Sequence, residues 1–393
     1  MKKLIRNINL SISMVIMAAS CSHDDFKGRN QWDGLYTEDT ILVSKNLESY
    51  ESGNQFIDSI SYLILEYLDD YPVGEVSNLL FMDDYIVVID QHAANAVYLF
   101  SYDGKFKRQI SSQGTGPGEY VHLTYVTLSY DKKEIVIQDR STKKMMWFDI
   151  NGRLTRTKGI PGYSGNIDFI GENTWITDIY PSNRNITKKG RHPFFIVTDS
   201  VWNYKYSLDY SKKFQEPFKV VPNPIWKSYA SDKMLGFIAS DNRIYCFTED
   251  SAYVTHRFLI EGEENDLGWE ETLEAKSRTE FSNQNCLVHP ILDCGDYVSF
   301  ILRQGENGSI HLYNKNNGNT YIMSILENGN LMYAFFDQIF FCKKNTLIAQ
   351  AFANEFYSNV NIVNEIGESP LFSEIAEKVN PESNPVLIFY HLK

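Results

Sequence analysis

Two stretches of this sequence carry the same order of strands and turns. The first runs Tyr85-Ile86-Val87-Val88-Ile89-Asp90, then Val97-Tyr98-Leu99-Phe100, then Asp103-Gly104-Lys105-Phe106. The second runs Glu134-Ile135-Val136-Ile137-Gln138-Asp139, then Met145-Met146-Trp147-Phe148, then Asn151-Gly152-Arg153-Leu154. Asp90 and Asp139 are 49 residues apart, and Phe100/Phe148 and Gly104/Gly152 are each 48 apart. A fixed period of this length in strand-rich sequence marks a repeat of four-stranded units, as in a β-propeller. Gly114-Thr115-Gly116-Pro117-Gly118-Glu119-Tyr120, between the copies, is then the passage from one blade to the next.

The period extends over the rest of the chain. Blade one is expected at 76–110 and blade two at 123–158, with Asp83-Asp84 and Asp103-Gly104 supplying hairpin turns. A third begins at Ile167, where Thr174-Trp175-Ile176-Thr177-Asp178 repeats the second strand. Blade four takes strands near 226–230, 234–239, 243–248 and 252–260. Blade five takes 287–293, 297–303, 309–314 and 320–325. Leu267 to Phe281, between them, reads as an inserted helix. The sixth blade has strands at 337–342, 346–352 and 386–390, interrupted by a helix from Ser369-Pro370 to about Val379. Its fourth strand is missing at the C-terminus, and Ile60–Glu66 is left unassigned at the other end. Pairing the two closes the ring and covers edges that would otherwise be exposed. The expectation is an all-β, six-bladed propeller of four-stranded blades, closed by an N-terminal strand in the last blade, with short inserted helices.

Three segments follow from this: a signal peptide at 1–21, a tether or lead-in at 22–54, and the propeller at 55–393. Lys2, Lys3 and Arg6 precede a short apolar core at Leu10–Met17, too short to span a bilayer, and Ala18-Ala19-Ser20 precede Cys21. This resembles the lipobox of bacterial lipoproteins, which implies lipidation of Cys21. Ordinary cleavage near Ala19 or Ser20 is the alternative. Ser22-His23-Asp24-Asp25 fits either a surface-export signal or a solvated tether. The cell envelope is therefore the expected address, through a lipid anchor in the outer membrane facing the periplasm or the exterior. A net charge of −13 argues against nucleic acid as a partner, and against membrane contact other than through the anchor. The 25 Tyr and 24 Phe suit β-structure with ample apolar burial. Cys246, Cys286, Cys294 and Cys342 allow three disulfide pairings, with buried free thiols favoured. Asp39-Thr40-Ile41 resembles the acceptor triplet for O-glycosylation in some envelope proteins.

Gly114–Tyr120, Asp103-Gly104-Lys105-Phe106 and Asn384-Pro385-Val386-Leu387 together resemble six-bladed β-propeller lipoproteins of Gram-negative bacteria, relatives of the NHL-repeat propellers. The resemblance implies the fold and an envelope location, and carries no established activity.

Motifs for catalysis are sparse. A phosphate-binding loop needs Lys-Ser/Thr after its last glycine, whereas Gly118 is followed by Glu119-Tyr120, so the stretch reads as a turn. Asp90, Asp139 and Asp178 end equivalent strands in separate blades, which points to turn capping rather than a shared cation. No zinc spacing and no G-x-S-x-G elbow occurs, so neither a metal nor another cofactor is expected. Ligands of six-bladed propellers bind at the channel mouth. Candidates there are Glu119, His122, Asp168, Trp226, His289 and Asp337, and Tyr163, Tyr180, Trp202 and Trp226 offer stacking surfaces. The favoured function is a non-catalytic binding or scaffold module for a glycan, peptide or partner protein. The alternative is a calcium-dependent lactonase- or lyase-like enzyme with Ca²⁺ in the channel, which requires convergent carboxylate, amide or imidazole groups.

Overall fold

The computed structural model describes residues 37–44, 53–179, 193–209, 224–237, 242–261, 286–304, 307–323, 332, 335, 338–358 and 369–393. Two strands precede the repeat, β1 (Thr37–Val43) and β2 (Ile57–Ile64). Blade one is β3 (Asn78–Phe81), β4 (Tyr85–Asp90), β5 (Ala96–Ser101) and β6 (Phe106–Gln109). Blade two is β7 (Tyr125–Leu128), β8 (Ile135–Asp139), β9 (Lys144–Phe148) and β10 (Leu154–Gly159). Blade three is β11 (Ser164–Gly171), β12 (Thr174–Ile179), β13 (Pro193–Asp199) and β14 (Tyr204–Asp209). Blade four is β15 (Ile225–Lys227), β16 (Met234–Phe237), β17 (Arg243–Phe247) and β18 (Ala252–Ile260). Blade five is β19 (Cys286–Cys294), β20 (Tyr297–Gln304), β21 (Asn307–Asn314) and β22 (Thr320–Ile322). Blade six is β23 (Ile339–Cys342), β24 (Thr346–Ala351), β25 (Val386–Leu392) and, outermost, β2. Two short helices, α1 (Glu355–Ser358) and α2 (Pro370–Lys378), lie between β24 and β25. The helix expected at 267–281 lies outside the described residues.

Ring closure follows the expected pairing. β2 runs antiparallel to β25, with Ile60 opposite Tyr390 and Ile64 opposite Val386. Ile60, Tyr62 and Ile64 pack toward blade five, and Leu63 and Leu65 toward blade one, because successive side chains leave a strand on opposite faces. Asn384, 1% exposed, fastens the closure: its Oδ1 accepts the Val73 N–H at 2.8 Å and its Nδ2 donates to the Glu66 carbonyl at 2.9 Å.

The core is not one cluster but six, one between each pair of neighbouring blades. In β8, Ile135 and Ile137 face blade one while Val136 faces blade three. Both faces of a middle strand are thus buried, which explains the unbroken run Ile86-Val87-Val88-Ile89 where a half-exposed strand would alternate.

The lead-in departs from a plain tether at one place. β1 adds a fifth strand to blade four, parallel to β18, with Thr37 opposite Val254 and Val43 opposite Ile260. Ile41 and Val43 are buried beneath it, and the Tyr313 hydroxyl donates to Asp39 at 2.6 Å. Thr40, in the glycosylation-like triplet, lies exposed on this strand.

The glycine-rich passage is a turn closed on itself. The Glu119 carboxylate accepts the Gly116 N–H at 2.7 Å, Tyr120 is fully buried, and the Tyr120 hydroxyl donates to the Asn95 carbonyl of blade one. Gly118 adopts φ +80°, a conformation that disfavours side chains, and a Cβ on Gly114 would fall 2.0 Å from Glu119.

Candidate functional site

The first strand of every blade lines the ring axis, and together they enclose a cavity of about 460 Å³. Two side-chain devices hold these strands. Asp90 accepts N–H groups from Gly74 and Glu75, which lead into β3, and from Ala93 in the turn after β4. Asp139 does the same with Val121 and Thr142, and Asp178 with Asn166. The three aspartates are therefore turn caps, each pinning its own blade, as their repetition implied. Glutamines then join blade one to two, blade two to three, and blade six to one. Gln91 Nε2 donates to the Leu123 and Thr124 carbonyls, Gln138 Nε2 to the Ile167 carbonyl, and Gln350 Oε1 accepts the Val76 N–H.

Asp168 and Trp226 line this cavity, whereas Glu119 and His122 stand outside its lining. Glu119 is engaged in its own turn, and His122 is exposed. The His289 side chain and Asp337 lie outside the described residues, as does Tyr180. Tyr163 and Trp202 are not part of the wall; the Trp202 indole N–H donates to the Gly159 carbonyl and its ring meets Trp175 edge-on at 5.0 Å.

Asp168 on β11 is the most buried carboxylate of the wall, 3% exposed. Its Oδ1 accepts the Thr127 hydroxyl at 3.0 Å and the Phe169 N–H at 2.8 Å, and its Oδ2 accepts the Tyr125 hydroxyl at 3.1 Å. Burial raises its pKa to about 6 against the pull of these bonds. Asp293 on β19 meets the opposite balance. Burial pushes it up, but Lys315 at 2.5 Å and the Ser228 and Ser231 hydroxyls outweigh that and hold it below the usual range. Lys227 and Lys132 share Asp232, at 3.5 and 2.8 Å, and the Lys227 ammonium lies 5.0 Å from the Tyr130 ring centroid.

Tyr229 crosses the axis. It follows β15 in blade four, yet its hydroxyl accepts the Phe81 N–H of blade one at 3.2 Å, and the two rings meet edge-on at 5.2 Å. Blades one and four stand opposite in a ring of six, so this side chain bridges the channel. Glu75, Ser77, Asn78, His92 and Gln350 also line the cavity and were not apparent from the sequence. A glutamine closing the second strand, at 138 and again at 350, was the available signal.

These donor sets do not fit a calcium ion. Both oxygens of Asp168 and of Asp293 already face hydroxyl, amide or ammonium donors, where Ca²⁺ needs converging oxygen acceptors. Among the described residues no three His, Cys, Asp or Glu side chains gather into a metal-binding group. Cys246, Cys294 and Cys342 are free thiols.

Fold and channel define the class, a six-bladed β-propeller. Residues 39–391 match the family described as Domain of unknown function (DUF4934), and the chain belongs to that family. It is similar in structure to a presumed exported protein from Bacteroides fragilis NCTC 9343, at 17% identity and a TM-score of 0.73, covering 91% of this chain and all of that one. It is also similar to a member of the DUF4221 family from Bacteroides vulgatus ATCC 8482, at 10% identity and a TM-score of 0.52, covering 86% of this chain and 97% of that one. No curated protein matches. At these identities the likeness speaks for the fold. The resemblance to NHL-like propeller lipoproteins is therefore met at the level of the six-bladed ring. Among the described residues no helix is long and apolar enough to cross a membrane.

Proposed function

We propose that this protein is a non-catalytic binding module of the cell envelope, held there by a lipid on Cys21, and that its ligand enters the axial cavity. The single observation carrying the binding reading is the cavity itself. It has the size of a small-molecule site, is walled by all six blades, and mixes apolar side chains with a few placed polar groups. Its deep carboxylates are saturated by protein donors, which suits them to shaping the wall rather than to attacking a substrate. The sequence-derived start of the chain and the exported relative support the address.

The test is retention with mass readout. The purified protein is incubated with separate mixtures of oligosaccharides and of peptides, and bound compounds are recovered and weighed. The reading expects compounds retained with unchanged mass, and retention lost in Asn78→Trp, which fills the cavity. Recovery of compounds with altered mass would instead establish turnover.

A further inference from the structure

One arc of the cavity wall carries polar groups that the protein leaves without partners. Gln350 is 6% exposed; its Oε1 is taken by the Val76 N–H, while its Nε2 has no protein partner among the described residues. The half-buried Asn78 has its Oδ1 accepting the N–H of Leu79, while its Nδ2 has no protein partner among the described residues. The Glu75 carboxylate and the His92 imidazole, from the same blade, join them on the lining with no protein partner among the described residues. Each N–H₂ faces the cavity and is placed to donate to an acceptor that enters it. The lining also carries aromatic side chains, Trp226 of blade four and the 40%-exposed Phe340 of blade six.

Charge narrows the ligand further. Asp293 is paired with Lys315, Lys227 and Lys132 are paired with Asp232, and Asp168 is saturated by donors. The deep carboxylates are thus engaged, and among the described residues the Glu75 carboxylate and the ammonium charge that Asp232 leaves over have opposite signs, so the wall sets no single charge for an ionic ligand to answer. What remains is a set of donors and acceptors alongside aromatic rings on one cavity wall. A pyranose matches both, since its hydroxyl edge donates and accepts while its C–H faces pack on aromatic rings. A peptide side chain offers one such aspect at a time.

We infer that the axial cavity binds a neutral saccharide of one or two rings, its hydroxyl edge on Asn78, Gln350 and Glu75 and a ring face against Trp226 or Phe340. This rests on the channel-binding reading above and names its ligand class.

The test uses the full mature protein and a panel of glucose, galactose, mannose, N-acetylglucosamine, maltose, cellobiose and lactose. Melting shifts and tryptophan fluorescence report binding. Gln350→Glu and Asn78→Asp keep the acceptor oxygen that each side chain uses internally and remove the free donor. At least one saccharide should bind, and each variant should weaken it about three- to tenfold, the loss of one hydrogen bond. The melting temperature of each ligand-free variant, measured in parallel, separates loss of binding from loss of fold. No binding across the panel, or binding unaffected by both variants, overturns the saccharide inference. If short peptides from a tripeptide library bind instead, and Asn78→Trp abolishes that, the channel reading survives and the saccharide does not. If neither class binds, both fall.

Discussion

The closing strand provides the most demanding test of the fold. Deleting residues 22–69 removes β1 together with β2 and its flank. Leu65 is fully buried and Ile57 is 9% exposed, and Ile60, Tyr62, Leu63 and Ile64 are half-buried against the blades on either side. At about 1.5–3 kcal/mol per fully buried side chain, and half that for the rest, the loss from β2 is about 9 kcal/mol, beyond what β1 contributes. That is comparable with the total stability of many domains, about 5–15 kcal/mol, and it also bares the edge of β25. Deleting 22–50 removes β1 alone and leaves β2 in place. Among the described side chains there only Ile41 and Val43 are buried, for about 4 kcal/mol, and no blade loses its fourth strand. Urea denaturation and limited proteolysis distinguish the two. The shorter deletion should unfold cooperatively at a lower midpoint, and the longer one should aggregate or be digested throughout. Equal midpoints for both would refute the closure as a source of stability.

Asn384→Ala removes both bonds that fasten the two chain ends and leaves the Val73 N–H buried; it should cost about 3 kcal/mol in urea melts, with Asn384→Asp, which keeps the acceptor, losing less. The carboxyls of Asp168 and Asp178 are raised by burial to about 6 and about 7 from a reference of 3.8. Raised folded-state values mean that their stabilising contribution is complete below about pH 4 and is lost as pH climbs through 6 and 7. Asp168→Asn should therefore gain on the wild type by about 3 kcal/mol between pH 4 and pH 8, and a difference that stays flat with pH would show the carboxyl to be unstrained. Cys21→Ser should move the protein from the membrane fraction to the soluble one and abolish fatty-acid labelling, and a labelled variant would rule out that cysteine as the anchor.

Much of the ring was legible because its signals are local. Asp103-Gly104 and Asn151-Gly152 mark equivalent turns, and both glycines adopt positive φ, +82° and +73°. The apolar runs between turns mark strands buried on both faces. The closure was legible by subtraction, since blade six lacked a strand and Ile60–Glu66 lacked a blade. β1 was not, because a parallel strand shares no turn with its partner and Thr37–Val43 has only three consecutive apolar residues. The site was legible only in fragments. Asp168 and Trp226 lie on the cavity, but Glu119, chosen for its place beside a glycine-rich turn, serves that turn. Asn78, Gln350 and Tyr229 sit on three different blades, and only the closed ring brings them to one cavity.

The way the two ends meet also sets a schedule. β2 is among the first strands to emerge as the chain is made from its N-terminus, and its partner β25 is the last. Until Val386–Leu392 emerge, Ile60, Ile64 and Leu65 have only half their neighbours, and β2 has no strand to pair with. Blades one to five can form from local hairpins in that interval, whereas the sixth waits for the whole chain. Folding thus ends with a single late latch, and a protein interrupted before its final residues should be cleared by proteases rather than accumulate as a five-bladed fragment. A pulse-chase of chains truncated before Asn384 would show this directly, and persistence of a compact fragment would contradict it.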